Sequence, residues 1–225
     1  LRFWGVIDIE MRGDVAVVHW RDGENRLNQA SVQRWHEVLD ELEAVEGPLA
    51  VVIVGDGRFF SNGLDLDGMA ADPAGAPAVL DGVHRIFGRL LLLPAYTVAA
   101  LNGHTFAGGA MMACCVDQRV MRDDRGYWCL PEVDLGTPVT DEMFAAVTSR
   151  LSVATAAEAL TTGRRFTAPE ALAAGIVDHT AAEADVLERA VELATPHAAK
   201  NRQVIARHKQ MLFGEAARVC GHTVL

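Results

Sequence analysis

Two short, predominantly apolar runs that end at glycine turns constrain this chain most. Leu49 to Val54 is apolar throughout and stops at Gly55; Tyr96 to Leu101 stops at Asn102-Gly103. Runs this short, with little polar alternation, fit strands buried on both faces, as in a parallel sheet. Each is followed by a second glycine-bearing stretch. The first is Phe59-Phe60-Ser61-Asn62-Gly63-Leu64-Asp65-Leu66. The second is Asn102-Gly103-His104-Thr105-Phe106-Ala107-Gly108-Gly109-Ala110-Met111-Met112. Glycine there lets the backbone turn tightly or lets a ligand approach it.

The rest of the chain supports a mixed α/β reading. Val6 to Glu10 and Val15 to Trp20 alternate as strands, with Arg12-Gly13-Asp14 as a hairpin turn. Asn28 suits a helix cap, and Val32, Trp35, Val38, Leu39, Leu42 and Val45 recur at helical spacing behind it. Gly47-Pro48 ends that helix. Residues 70–78, rich in Ala, Pro and Gly, read as a mobile loop; Val83 to Leu93 reads as a helix stopped by Pro94. Gly108 to Cys115 should open a helix and Val116 to Met121 form a strand. From Thr140 onward, Val153 to Leu160, Ala168 to Ala174, Ala182 to Leu193 and Asn201 to Phe213 are helix candidates. We therefore expect a core over residues 1–139 and a helical region over 140–225.

Composition narrows the partners. The 225 residues carry a formal charge of −10, which argues against a nucleic-acid face able to neutralise phosphates. An anionic small molecule needs only a few local cations and stays possible. Lysine occurs only at Lys200 and Lys209. No apolar run is long enough for a membrane span, and the N-terminus lacks the pattern of a secretory signal. Cys114, Cys115, Cys129 and Cys220 are too few for a disulfide scaffold and lack zinc spacing, so reduced thiols in a cytoplasm are expected, with an organelle as the alternative. Asp65 and Asp67 complete no metal ligand set. No metal and no permanently bound cofactor are expected.

The glycines that follow the strands suggest chemistry. A helix N-terminus has unpaired N–H groups and partial positive charge, so the turn before Gly108 could hold a ligand oxyanion. The residues alone also allow a plain strand–turn–helix junction. Four segments then carry a resemblance. GDGRFFSNGLDLDGM (55–69), NGHTFAGGAMMACCVD (102–117), PEVDLG (131–136) and TGRRFTAPEALAAGIVD (162–178) occur in the order of the crotonase, or enoyl-CoA hydratase/isomerase, superfamily signatures. The chain resembles that superfamily over nearly its whole length.

The resemblance implies a spiral of repeated ββα units, a helical C-terminal region used in assembly as a homotrimer or dimer of trimers, and an acyl-CoA thioester as substrate. By position, the oxyanion donors would be the backbone N–H groups of Leu64 and Gly108. Hydratases of the superfamily use two glutamates; the first position is Met111 here and the second is Glu132. A single carboxylate facing an oxyanion hole suits proton shuttling, as in Δ3-Δ2-enoyl-CoA isomerases. A hydratase, another crotonase-type activity or a catalytically silent acyl-CoA binder are the alternatives. Asp141 and Glu142 are reserve candidates for the base. Asn62, Leu66, Met69 and Met111 are expected to meet the CoA or the acyl tail. Arg26 and Lys209 are the candidate phosphate partners. Val83, Ile86, Leu90 and Leu93 form a stripe that suits either an acyl tunnel or ordinary core.

Overall fold

In the computed structural model, which describes residues 6–223, the apolar runs become neighbouring strands of one sheet. The chain starts with a hairpin, β1 (Ile7–Arg12) and β2 (Val15–Trp20), turned by Gly13 at φ +62°. The two-residue β3 (Arg26–Leu27) leads to helix α1 (Gln29–Ala44). Asn28 accepts from the Ser31 N–H while the Ser31 hydroxyl accepts from the Asn28 N–H, a reciprocal cap that fixes the start of α1. β4 (Ala50–Gly55), β5 (Phe59–Ser61) and β6 (Gly63–Leu64) follow, then α2 (Leu66–Ala71) and α3 (Ala76–Leu92). The next unit is β7 (Tyr96–Leu101), β8 (His104–Phe106) and α4 (Gly108–Cys114). The third is β9 (Gln118–Arg122), β10 (Trp128–Cys129) and the one-turn α5 (Glu132–Leu135).

These units wind as a spiral. Their first strands align in a six-stranded sheet of order β1-β2-β4-β7-β9-β11, and their second strands form a three-stranded sheet of order β10-β8-β5. All pairings except the β1–β2 hairpin are parallel in the large sheet. β3 pairs with β6, setting Leu27 opposite Leu64. The large sheet is buried on both faces, as the apolar runs require. Ala16, Val18, Val51, Ile53, Ala99 and Leu101 meet α1 and α3, while Val17, Val52, Val54, Val98 and Ala100 lie under Ala190 and Ala194 of a later helix.

The remaining elements are α6 (Asp141–Thr148), α7 (Val153–Thr162), α8 (Ala168–Ala173), β11 (His179–Ala181), α9 (Val186–Ala198) and α10 (Arg202–Val219). They pack on the spiral: α9 covers the open sheet face and α10 lies on α3. Among the described residues, no helix is long and apolar enough to cross a membrane.

Two expectations change. The segment 70–78 is largely helical, because Asp65 caps α2 through the Gly68 N–H and α3 begins with proline in its first turn. The helix expected from Ala182 begins at Val186, after β11, a strand without a local sequence signal that forms by pairing with β9. Of the two readings of the stripe Val83, Ile86, Leu90 and Leu93, core packing is the one observed, since all four are buried in the main core.

Candidate active site

A polar network builds the turn that places Leu64. Asn25 is fully buried and adopts φ +52°, and its side-chain amide donates to the Phe59 and Phe60 carbonyls. The Ser61 hydroxyl donates to the Asn25 carbonyl at 2.7 Å and accepts from the Gly63 N–H at 3.1 Å. Gly63 sits at φ +77°, and a methyl group there would meet the Gly108 nitrogen and the Ala107 Cβ at 2.8 Å. Only glycine lets β6 and the start of α4 come this close. A methyl group on Gly108 would in turn lie 3.7 Å from the Leu64 nitrogen, so the two candidate donors are neighbours in space.

Ala107 holds the other side of this junction at φ 49°, ψ −124°. A non-glycine residue in such a conformation carries strain, typically ~1–3 kcal/mol, and persists only where its surroundings impose it. Its N–H donates to the Cys129 carbonyl and its carbonyl accepts from the Met111 N–H. Gly108 is the first residue of α4, a position whose N–H has no partner within the helix.

Leu64, Ala107 and Gly108 line a cavity of about 590 Å³. Across it stand Pro131, Glu132 and Leu135 of the α5 turn, then Thr137, Pro138, Thr140 and Met143. Gly136, in the left-handed region at φ 69°, ends α5 after one turn and returns the chain along the cavity wall. Glu132 Oε2 is buried and has no hydrogen-bond partner among the described residues. Burial pushes the Glu132 carboxyl above its ordinary value, with a bond from its own backbone opposing the shift.

Other expected contacts separate into groups. Asn62, Leu66, Met69 and Arg26 line the same cavity. Asn62 donates its amide to Glu24 at 2.9 Å. Arg26 is engaged by Glu24 at 2.8 Å, Asp65 at 3.3 Å and Asp67 at 3.2 Å, which leaves it little free charge for a phosphate.

Two residues require correction. Lys209 is buried, 5% exposed, and its Nζ contacts Asp117 at 2.7 Å and the Ala95 carbonyl at 2.8 Å. Its charge compensates an acid under the sheet instead of reaching for a phosphate. Met111 is fully buried in the main core and stands behind the cavity wall, not on it. The reserve acids are not among the cavity-lining residues. Asp141 and Glu142 begin α6, and the Glu142 carboxylate lies 3.8 Å from His84 Nδ1.

The sequence reading missed Asn25, whose role depends on contacts more than thirty positions away. It also passed over Arg165, a cavity-lining residue from the loop after α7. Its neighbour Phe166 bridges to Trp128, and that pairing draws the loop to the site.

Comparisons with known proteins agree with this architecture. A family model described as enoyl-CoA hydratase/isomerase matches residues 10–219. Enoyl-CoA delta isomerase 3 of Arabidopsis thaliana is 35% identical over 225 residues, covering 94% of this chain and 93% of its own. A putative enoyl-CoA hydratase of Thermus thermophilus is 36% identical over 189 residues, covering 81% of this chain and 74% of its own. The crystal structure of human mitochondrial delta3-delta2-enoyl-CoA isomerase superposes with a TM-score of 0.89 at 26% identity, over 95% of this chain and 85% of that one. The spiral of ββα units is the crotonase fold, and the chain belongs to the enoyl-CoA hydratase/isomerase family.

Proposed function

We propose that the protein is an enoyl-CoA isomerase that moves a double bond from C3 to C2 of an acyl-CoA thioester in fatty acid metabolism. The observation that carries this reading is Glu132. Its carboxylate has a buried, partnerless oxygen and lines one cavity with Leu64 and Gly108. At the first of the two positions where a hydratase of the superfamily places a glutamate to hold water, this chain has Met111, fully buried in the core.

The reaction follows from these groups. Glu132 takes a proton from C2 of a 3-enoyl-CoA. The electrons of the broken C–H bond move onto the thioester oxygen, giving a dienolate. The N–H groups of Leu64 and Gly108 stabilise that oxygen, and fixed donors of this kind contribute most where charge develops. The protonated Glu132 then returns its proton at C4, and the double bond settles between C2 and C3. One carboxylate completes the cycle with no water and no bound cofactor. The raised Glu132 pKa suits a group that must both take and return a proton.

The family resemblance also supports a homotrimer or dimer of trimers. Val153 on α7 and Met211 and Leu212 on α10 are 86%, 69% and 72% exposed, apolar side chains of the kind that assembly would cover. We place the protein in the cytoplasm, a reading that rests on its four buried free thiols.

The test is Glu132→Gln, assayed with a 3-enoyl-CoA for conjugated product and with a 2-enoyl-CoA for water addition. Wild-type protein should give product in the first assay only. The variant should lose roughly 10²–10⁴ in kcat, the usual contribution of a general base, while still binding thioester. Retained turnover in the variant would reject Glu132 as the base.

A further inference from the structure

The cavity needs a cation for its substrate, and the two expected from sequence are already engaged. Arg26 is held by three carboxylates, and Lys209 is buried against Asp117. A CoA thioester carries its negative charge on phosphates outside the reacting end, and a chain of charge −10 repels them overall. Local positive charge at the cavity mouth must offset that repulsion.

Arg165 meets the requirement. It is exposed, lines the cavity beside Phe106, and has no carboxylate partner among the described residues. Its guanidinium lies 5.8 Å from the Phe106 ring centroid, so an aromatic face supports it while its N–H groups stay available. Its sequence neighbour Arg164 is different: Glu158 and Glu170 both hold it.

Arg165 is not alone. The Phe106 ring stacks at 5.0 Å on His104, which lies 5.4 Å from Phe59 and 5.8 Å from Tyr127. Arg58 stands 5.9 Å from the Phe59 ring. Arg58, Arg165, Arg125 and Arg122 all act electrostatically on His104, which burial already pushes below its ordinary pKa. Arg122 is neutralised by Asp124 and Glu183. Arg58 and Arg125 are exposed and have no ion-pair partner among the described residues. Two uncompensated arginines, Arg58 and Arg165, thus pack on the aromatic rings of the small sheet, Arg125 adds to their field, and Arg165 reaches the cavity.

We propose that Arg165 is the cation that holds the phosphates of the CoA thioester at the cavity mouth, with Arg58 and Arg125 extending the positive field that draws the substrate in. This inference rests on the acyl-CoA reading of the cavity. Arginine suits the task because its planar donors can engage phosphate oxygens in pairs.

The experiment compares two saturated thioesters that cannot isomerise, hexanoyl-CoA and hexanoyl-pantetheine, the second lacking the nucleotide and its phosphates. Dissociation constants are measured by calorimetry for wild type, Arg165→Ala, Arg165→Lys and Arg58→Ala/Arg125→Ala. Wild type should prefer the CoA thioester. Arg165→Ala should weaken that binding about 10- to 100-fold, the range for removing a charged hydrogen-bond donor, and Arg165→Lys should fall between. Hexanoyl-pantetheine should bind wild type and Arg165→Ala with the same constant. The double variant should lower the association rate and flatten its salt dependence. Equal losses for both thioesters, or no loss for either, would overturn the assignment of Arg165. Wild-type binding of both thioesters with no preference for CoA would overturn the inference while leaving the acyl-CoA cavity intact. Binding of neither would overturn both.

Discussion

Glu132 shows what a single residue gives up to serve a site. Its buried, unpartnered oxygen lowers the stability of the folded chain whenever the carboxylate is ionised. The sign follows from its raised pKa. As pH rises, the unfolded chain loses this proton first, near the ordinary value of 4.5, so ionisation favours unfolding. The penalty is absent below that value, grows as pH rises through the folded pKa, and is complete above it. Glu132→Gln should therefore melt above wild type at pH 8, by roughly 2–4 °C if the relief is ~1 kcal/mol, and show no gain at pH 4. Thermal melts at the two pH values check this. A variant that melts below wild type at pH 8 would show that the carboxylate has a stabilising partner. Activity runs the opposite way: turnover needs the carboxylate and should rise with pH through the same shifted pKa.

At the scale of elements, the site depends on how closely two turns approach. Gly109, the second residue of α4, has no room for a side chain, since a methyl group would lie 2.6 Å from the Ser61 Cβ and 2.7 Å from its carbonyl oxygen. Gly109→Ala should separate β5 from α4 and spread the Leu64 and Gly108 donors. We expect a loss of about 1–3 kcal/mol in stability, the usual range for overpacking, and on the order of 10²–10³ in kcat, the usual effect of losing an oxyanion donor. Denaturant unfolding and steady-state kinetics measure the two losses; a drop in stability at unchanged kcat would show that the donors need no such precision. Elements with strong local signals were legible in the sequence. The apolar period and Asn28 announce α1, an unbroken apolar run announces β4, and a predominantly apolar one announces β7. The two-residue β3 and β6 were not legible, because only their mutual pairing makes them strands. Nor was the helical character of 70–78, where capping by Asp65 outweighs a composition rich in Ala, Pro and Gly.

For the whole molecule, the spiral was legible only through the resemblance of the four ordered signatures to the crotonase superfamily; the buried runs and helical periods by themselves implied a mixed α/β core. The cavity that joins them was only partly legible. Asn62, Leu64, Leu66, Met69, Gly108 and Glu132 come together as expected, along with the neutralised Arg26. The expectation for Lys209 failed because sequence shows a cation without showing its neighbours. Lys209 is one of only two lysines, and the fold spends it on Asp117, where Arg150 also contributes at 2.8 Å. Acyl thioesters slowly acylate free amines, and a buried, ion-paired ammonium is a poor target for them. Lys200, exposed at the junction of α9 and α10, is the other. Prolonged incubation with excess acetyl-CoA at alkaline pH, read by peptide mass spectrometry, should mark Lys200 and spare Lys209. A protein built to handle reactive thioesters thus presents to them a single side-chain amine.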